Sequence, residues 1–208
     1  SHPELILSLH WDSLRVFSWK KDRWKPAEIT SALGLESHTG WWNGVATGDF
    51  NNDGRIDIAA TNWGLNWRRK PTPANPKRIY YGDMDGDGVT ESIEAVHRQG
   101  RWQPERRFGI LRAAMPIISE RMTSFEQVGR SSVQQVFGDL LETALVHEVV
   151  EFRSMVFLNL ESGMSAIPMP AEAQWAPGFG VVAEDFDGDQ RVDLFVAQNF
   201  FATNPEYS

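Results

Sequence analysis

The fold is decided by residues 41–64, WWNGVATGDFNNDGRIDIAATNWG, in which two short apolar runs flank a cluster of oxygen-bearing side chains. Side chains two residues apart in a tight loop can converge on one point, and Gly54 permits the left-handed turn that such a loop needs. This arrangement predicts a metal loop at residues 49–57, here named loop one. Its side-chain oxygens come from Asp49, Asn51, Asp53 and Asp57. Hard oxygen donors in this number favour Ca²⁺ over a transition metal ion.

The same spacing recurs twice more along the chain. Loop two covers residues 83–91, and loop three covers residues 185–193. Asp and Gly also crowd ordinary turns, so one such loop would be a weaker signal than three. Positions 1, 3, 5 and 9 of each loop carry Asp, Asn or Glu, and strand-like sequence flanks each loop. The side-chain oxygens of the two further loops come from Asp83, Asp85, Asp87, Glu91, Asp185, Asp187, Asp189 and Asp193.

The EF-hand is the nearest alternative type of metal loop. It requires a bidentate Glu at position 12 and a helix on each side. Glu94 stands at that position of loop two, but Ala60 and Val196 stand there in loops one and three. No helix-like segment precedes any of the loops. The carboxylate shared at position 9 therefore argues against an EF-hand.

Composition excludes several classes of protein. The chain has 208 residues, 41% hydrophobic, which is enough to bury a core. Its net charge of −8 makes nucleic acid an unsuitable ligand, and no apolar run is long enough for a membrane span. Cysteine is absent, so bound calcium would replace disulfides as the cross-link of an extracytoplasmic protein.

A helical segment is predicted between the second and third loops. Thr123 with Glu126 and Ser131 with Gln134 both fit the capping box that begins a helix. Pro116 is expected to separate this segment from an earlier helical turn. The apolar residues that follow Ser131 recur at the spacing of one helical face. They are Val133, Val136, Phe137, Leu140 and Leu141.

Three stretches of the chain resemble the FG-GAP repeat, also called the VCBS or integrin-α-like repeat. They are GVATGDFNNDGRIDIAATNWG, YYGDMDGDGVTES and GFGVVAEDFDGDQRVDLFVAQNF. The sequences GWWN and PAEAQWAPGFG further resemble a bacterial subgroup of large secreted FG-GAP proteins. In this family the loop joins the first two strands of a β-propeller blade and binds Ca²⁺, so the resemblance implies the same role for all three loops.

The resemblance also implies a ligand set for each of up to three calcium ions. The first ion would be held by Asp49, Asn51, Asp53, Asp57 and the backbone carbonyl of Arg55. The second would be held by Asp83, Asp85, Asp87, Glu91 and the carbonyl of Val89. The third would be held by Asp185, Asp187, Asp189, Asp193 and the carbonyl of Arg191. Gln190 replaces the expected glycine in loop three, at a cost of about 1 kcal/mol, so the third site is expected to be the weakest.

The expected fold is a partial β-propeller of about three to four four-stranded blades, with a helical insertion at about 108–146. Repeated strand–loop–strand units bury their faces only against neighbouring units. Residues 1–208 are expected to form a single segment cut from a longer propeller. Exposed blade edges attract further strands, so a homodimer through these edges is a hypothesis.

The predicted function is that of a non-catalytic binding or adhesion module outside the cytoplasm, with a protein or a polysaccharide as partner. His147–Glu148 lacks the second histidine of a zinc-protease motif, because residue 151 is glutamate. Tryptophans such as Trp41, Trp42, Trp63 and Trp67 are more readily explained by packing than by a sugar platform. The alternative is a carbohydrate-active enzyme similar to polysaccharide lyases, with a cleft near Arg101, Arg106 and Arg107.

Overall fold

The computed structural model describes residues 4–19, 26–98 and 100–199. Within these ranges the chain is mainly β, as predicted, and its sheets are antiparallel. The strands are β1 (Leu5–Leu7), β2 (His10–Asp12), β3 (Arg15–Ser18), β4 (Ala27–Glu28), β5 (Gly40–Trp41), β6 (Val45–Gly48), β7 (Asp57–Ala60), β8 (Lys77–Gly82), β9 (Glu91–Arg98), β10 (Arg101–Pro104), β11 (Leu145–Val149), β12 (Met155–Leu160), β13 (Gly163–Pro168), β14 (Gly178–Glu184) and β15 (Asp193–Gln198). The α-helices are α1 (Phe108–Ala114), α2 (Ile118–Arg121), α3 (Phe125–Arg130) and α4 (Val133–Phe137).

The chain divides into two compact units. The larger unit comprises Ser1–Lys70 and Glu151–Ser208, and the smaller unit comprises Pro71–Val150. Loops one and three belong to the larger unit, and loop two belongs to the smaller one. The predicted turn at residues 20–23 lies outside the described residues.

The central sheet of the larger unit has four strands in the order β13-β12-β7-β6. Strand β7 is buried along its whole length because it lies between β6 and β12. An apolar run with small residues such as Ala59 and Ala60 suits a strand that is covered on both faces. The whole of the smaller unit intervenes in sequence between β7 and β12, although these two strands pair directly.

The core of the larger unit forms around this sheet. The indole of Trp42 is buried against Phe157 of β12, with ring centroids 5.6 Å apart. Neighbouring strands contribute further apolar side chains, and these buried residues form one cluster: Leu14, Val16, Leu35, Trp42, Ile58, Ala60, Met155 and Phe157.

Three smaller sheets complete the larger unit. Strands β1, β3 and β4 form a three-stranded sheet, β2 pairs with β5, and β14 pairs with β15. The β14–β15 hairpin differs from the central sheet because its apolar side chains Val182 and Phe195 are 53% and 61% exposed. None of the sheets in the described part of the chain closes on itself.

The smaller unit packs helices on one sheet. Its strands follow the order β10-β9-β8-β11, and helices α1 to α4 lie in sequence between β10 and β11. Side chains of both layers share one core, which includes Tyr80, Ile93 and Phe137. Residues 145–146 belong to strand β11 rather than to the helical segment, because they pair with Tyr81 and Tyr80 of β8.

Both predicted helix caps are wrong by one residue. Ser124 caps α3 by accepting a hydrogen bond from the amide of Gln127. Ser132 caps α4 in a full capping box with Gln135. Each helix start carries two adjacent hydroxyl residues, and the second of them precedes the first helical residue. The predicted separation at Pro116 is confirmed, because α1 ends at Ala114 and α2 begins at Ile118.

Candidate metal centres

The three loops share one pattern of local hydrogen bonds. In each, the carboxylate at position 1 accepts a bond from the amide at position 6. These bonds join Gly54 N to Asp49 Oδ2 at 2.8 Å, Gly88 N to Asp83 Oδ2 at 3.1 Å and Gln190 N to Asp185 Oδ2 at 2.9 Å. The carboxylate at the start of each loop is therefore turned inward over the loop.

The carboxylates at positions 5 and 9 are held in the same repeated way. Position 5 accepts a bond from the amide at position 7, at 2.9 Å in loop one and 2.8 Å in loops two and three. Position 9 accepts a bond from the amide at position 2. The position-9 bonds are Phe50 N to Asp57 Oδ2 at 2.9 Å, Met84 N to Glu91 Oε2 at 2.9 Å and Phe186 N to Asp193 Oδ2 at 3.1 Å.

Two positions in each loop adopt a left-handed backbone. Position 6 does so with φ of 83° at Gly54, 88° at Gly88 and 68° at Gln190. The predicted left-handed conformation of Gln190 is therefore present. Sequence reasoning missed position 4, which is also left-handed. Its residues are Asn52, Gly86 and Gly188, with φ of 58°, 79° and 80°.

Carboxylate oxygens converge in loops two and three. One oxygen from each of Asp83, Asp85 and Glu91 lies within 4.8 Å of the others, and Asp185, Asp187 and Asp193 form a second group of this kind. A set made only of oxygen donors suits a hard divalent cation such as Ca²⁺. Asp87 and Asp189 lie outside these two groups, and each accepts a hydrogen bond from the amide at position 7.

Loop one is arranged differently. Asn51 supplies an amide oxygen in place of a carboxylate at position 3, and its Nδ2 donates to Asp53 Oδ2 at 2.9 Å. The guanidinium of Arg55 pairs with the same oxygen at 2.6 Å. The pKa of Asp53 is lowered, mainly because its carboxylate accepts the backbone amide of Arg55. Loop one thus carries its own positive charge beside the expected ligands.

Burial at position 9 also differs among the loops. Asp57 is 0% exposed and Glu91 is 8% exposed, whereas Asp193 is only partly buried. The position-7 carbonyls of Arg55, Val89 and Arg191 were predicted as backbone ligands. No contact in the described residues tests that role, so it stays a prediction.

Residues that were considered for other chemistry make contacts within the protein. His147 Nε2 lies 3.0 Å from the hydroxyl of Tyr81 across strands β11 and β8. Arg101 donates to the carbonyl of Arg130 at 2.9 Å, and Arg106 lies 3.5 Å from Glu94.

Packing accounts for most of the tryptophans that were considered as a sugar platform. Trp41 and Trp42 are 8% and 1% exposed. Trp41 contacts Trp63 edge-on, with ring centroids 5.1 Å apart, and Trp63 contacts Trp67 in the same way at 6.0 Å.

Comparison with known families identifies one repeat. Residues 2–60 match the model of an FG-GAP-like repeat, which confirms the resemblance inferred from the sequence. The matched range contains all of loop one and ends before loops two and three. No curated protein matches the chain.

No helix in the described residues is long and apolar enough to cross a membrane.

Proposed function

We propose, taking the FG-GAP-like repeat at residues 2–60 as the premise, that this chain is a calcium-stabilised, non-catalytic segment of an integrin-like β-propeller. The observation that carries the proposal is the convergence of three carboxylates in each of loops two and three. The shared hydrogen-bond pattern extends the proposal to loop one, where Asn51 supplies the third side-chain oxygen.

Bound calcium would neutralise each group of carboxylates and join the ends of two strands. Loop one connects β6 to β7, loop two connects β8 to β9, and loop three connects β14 to β15. Carboxylates crowded within 4.8 Å repel each other unless a cation lies among them. The ions would therefore stiffen three hairpins and fix the positions of the neighbouring surface loops.

The sheet β13-β12-β7-β6 supports the propeller assignment, because it has the four antiparallel strands of a blade. The β14–β15 hairpin carries its metal loop at the same place as the β6–β7 hairpin, and we assign it to the start of another blade. On this assignment the helical segment after β10 is an insertion, and the smaller unit interrupts the β13-β12-β7-β6 blade in sequence, between β7 and β12.

The proposed location is outside the cytoplasm. Calcium sites of extracellular modules bind with dissociation constants of roughly 10⁻⁴–10⁻³ M, so they are filled outside the cell. The proposed role there is binding or adhesion to a protein or a polysaccharide. A second copy of the chain is a further candidate partner, because Val182 and Phe195 are exposed on the β14–β15 hairpin.

Calorimetric titration of the calcium-free protein tests the proposal. We expect binding of up to three Ca²⁺ ions in the millimolar range or tighter, with Mg²⁺ weaker because it loses its water ligands reluctantly. Asp85→Ala with Asp87→Ala should remove one site, because both side-chain oxygen donors are lost, and Gln134→Ala, far from every loop in sequence, should remove none. Absence of calcium binding at millimolar concentration would overturn the proposal.

The non-catalytic part of the proposal has its own test. The calcium-loaded protein is incubated with acidic polysaccharides, and the products are examined for new unsaturated ends. We expect none, because the loop carboxylates would be occupied by metal and unable to act as acid or base. Unsaturated products that disappear on Arg101→Ala substitution would instead identify an enzyme.

A further inference from the structure

Asn159 of strand β12 forms hydrogen bonds with loop one, about a hundred positions away in sequence. The amide of Asn159 donates to Asp57 Oδ1 at 2.8 Å, and its side-chain Nδ2 donates to the carbonyl of Ile56 at 3.2 Å. The Nε of Arg55 donates to the carbonyl of Asn159 at 2.5 Å. Three successive residues of the loop are therefore fixed by one residue of a neighbouring strand.

These contacts determine the orientation of the position-9 carboxylate. Asp57 accepts the amide of Phe50 on Oδ2 and the amide of Asn159 on Oδ1, so both of its oxygens are held. Each carboxylate oxygen has two lone pairs, so either oxygen can still bind a cation while it accepts an amide. Because Asp57 is 0% exposed, water does not compete for these bonds.

Loops two and three lack a contact of this kind in the part of the chain that the structure describes. The hydrogen bond to Glu91 comes from Met84, and the hydrogen bond to Asp193 comes from Phe186. Both donors belong to the loop itself. For loop three the difference follows from topology, because β7 pairs with β12 on the edge away from β6, whereas β15 pairs with β14 alone. In loop two, β9 has a second neighbour in β10, but their pairing ends at Ala95 and does not reach Glu91.

Arg55 extends the network to a second predicted ligand. Its side chain bonds to the carbonyl of Asn159 and pairs with Asp53 Oδ2 at 2.6 Å. Asn159 is therefore linked to Asp57 directly and to Asp53 through one guanidinium. Groups that orient metal ligands in this way commonly change metal affinity 10- to 100-fold when they are removed.

We infer that Asn159 is a positioning residue for the metal site of loop one, and that calcium binding there is coupled to the pairing of β12 with β7. The inference rests on the proposed calcium function. It concerns a residue outside the nine-residue motif, and nothing in the spacing of that motif points to it. Calcium should therefore order the β12 strand as well as the loop.

The test uses a protein in which loop one is the remaining site. Asp85→Ala with Asp87→Ala and Asp187→Ala with Asp189→Ala disable the other two loops. In this background, Asn159→Ala and Asn159→Ser remove only the side-chain donor that reaches Ile56, whereas Asn159→Pro also removes the backbone amide that donates to Asp57. Gln134→Ala is the matched control, because it also removes one exposed amide-to-carbonyl hydrogen bond, at Gly138.

We expect the calcium affinity of loop one to fall about tenfold in Asn159→Pro, to fall by less in Asn159→Ala and Asn159→Ser, and to stay unchanged in the control. In EDTA the unfolding midpoint should change no more in Asn159→Ala and Asn159→Ser than in the control. The midpoint of Asn159→Pro should fall more in calcium than in EDTA, since a merely structural role would lower it equally in both. Calcium should also slow hydrogen exchange of the Asn159 amide in the background protein.

The possible outcomes distinguish a failure of this inference from a failure of the proposed calcium function. Equal calcium affinity in the background protein and in Asn159→Pro would overturn the positioning role and leave the calcium function intact. Failure of the background protein to bind calcium would refute calcium binding at loop one, and the positioning role with it.

Discussion

Loops one and three have the same motif and share the hydrogen bonds to the carboxylates at positions 1, 5 and 9, but they lie in different surroundings. Loop one joins two strands of a four-stranded sheet, and its Asp57 is fully buried. Loop three joins the strands of a two-stranded hairpin, and its Asp193 is partly exposed. Asn159 of β12 reaches loop one, whereas loop three is held by its own amides.

This comparison separates two contributions to a metal site. Nine residues of sequence are enough to fold the carboxylates over the loop, because every shared hydrogen bond lies within those residues. The neighbouring strands then decide how rigidly the carboxylates are held. Loop one should therefore be rigid without metal, whereas loop three should need bound metal to become ordered.

The largest expected effect is the difference between Asp57→Ala and Asp193→Ala. Asp57→Ala leaves the amides of Phe50 and Asn159 without their acceptor, and each unsatisfied buried group costs about 1–3 kcal/mol. Asp193→Ala removes one bond at an exposed loop and should cost about 1 kcal/mol or less. Urea unfolding in EDTA measures both losses of stability.

The control for this pair is the same measurement in calcium. There Asp193→Ala should lose additional stability, because loop three would no longer gain from metal binding. Equal losses for the two variants in EDTA would contradict the proposed difference in rigidity.

A smaller effect is expected from Gln190→Gly in loop three. Gln190 has φ of 68°, and a non-glycine residue in this region costs about 1 kcal/mol. Glycine relieves that cost but adds entropy to the unfolded chain, so the net gain in unfolding free energy should be under about 1 kcal/mol. Urea unfolding in calcium measures the gain.

Asn52→Gly in loop one provides the matched comparison. Asn52 has φ of 58°, but asparagine tolerates the left-handed region better than glutamine does. Its gain should therefore be smaller than that of Gln190→Gly. A loss of stability in Gln190→Gly would mean that the Gln190 side chain stabilises the protein by more than its left-handed backbone costs.

The smallest effect concerns His38, which packs edge-on against Phe157 of the larger unit. Burial lowers the pKa of His38, while nearby Glu151 raises it and Arg153 lowers it further. The unfolded chain therefore takes up a proton near its ordinary pKa of 6.5, whereas the folded chain does so only at lower pH. Stability should fall as the pH drops from about 6.5 through the folded pKa.

His38→Gln isolates this contribution, because glutamine stays neutral over the same range. The urea midpoint in EDTA should fall less between pH 7.5 and pH 5 in His38→Gln than in the unmodified protein. Identical pH profiles would exclude His38 as a source of the loss.

Local features of the fold were predictable from the sequence. The tight turns of the three loops, the left-handed Gln190 and the buried helical face at Val133, Val136 and Phe137 all depend on contacts between residues close in sequence. The helix caps were missed by one residue because adjacent hydroxyl residues, Thr123–Ser124 and Ser131–Ser132, both fit the motif. The left-handed conformation of Asn52 was missed because the spacing of the oxygen ligands does not indicate the backbone conformation at position 4.

Long-range features were not predictable in the same way. Strands β7 and β12 pair although the whole smaller unit separates them in sequence, and no sequence pattern predicts this pairing. Asn159 therefore looks like an ordinary polar residue of a strand. The number of blades, the single-segment organisation and the metal ligands stay predictions.

Thermal unfolding in calcium and in EDTA tests the central claim most directly. At a calcium concentration about a hundredfold above the dissociation constant, each occupied site adds about 2.7 kcal/mol to the unfolding free energy. We therefore predict a midpoint several degrees higher in calcium than in EDTA, and a smaller rise in Mg²⁺. An identical midpoint in calcium and EDTA would contradict the claim that metal ions stabilise these loops.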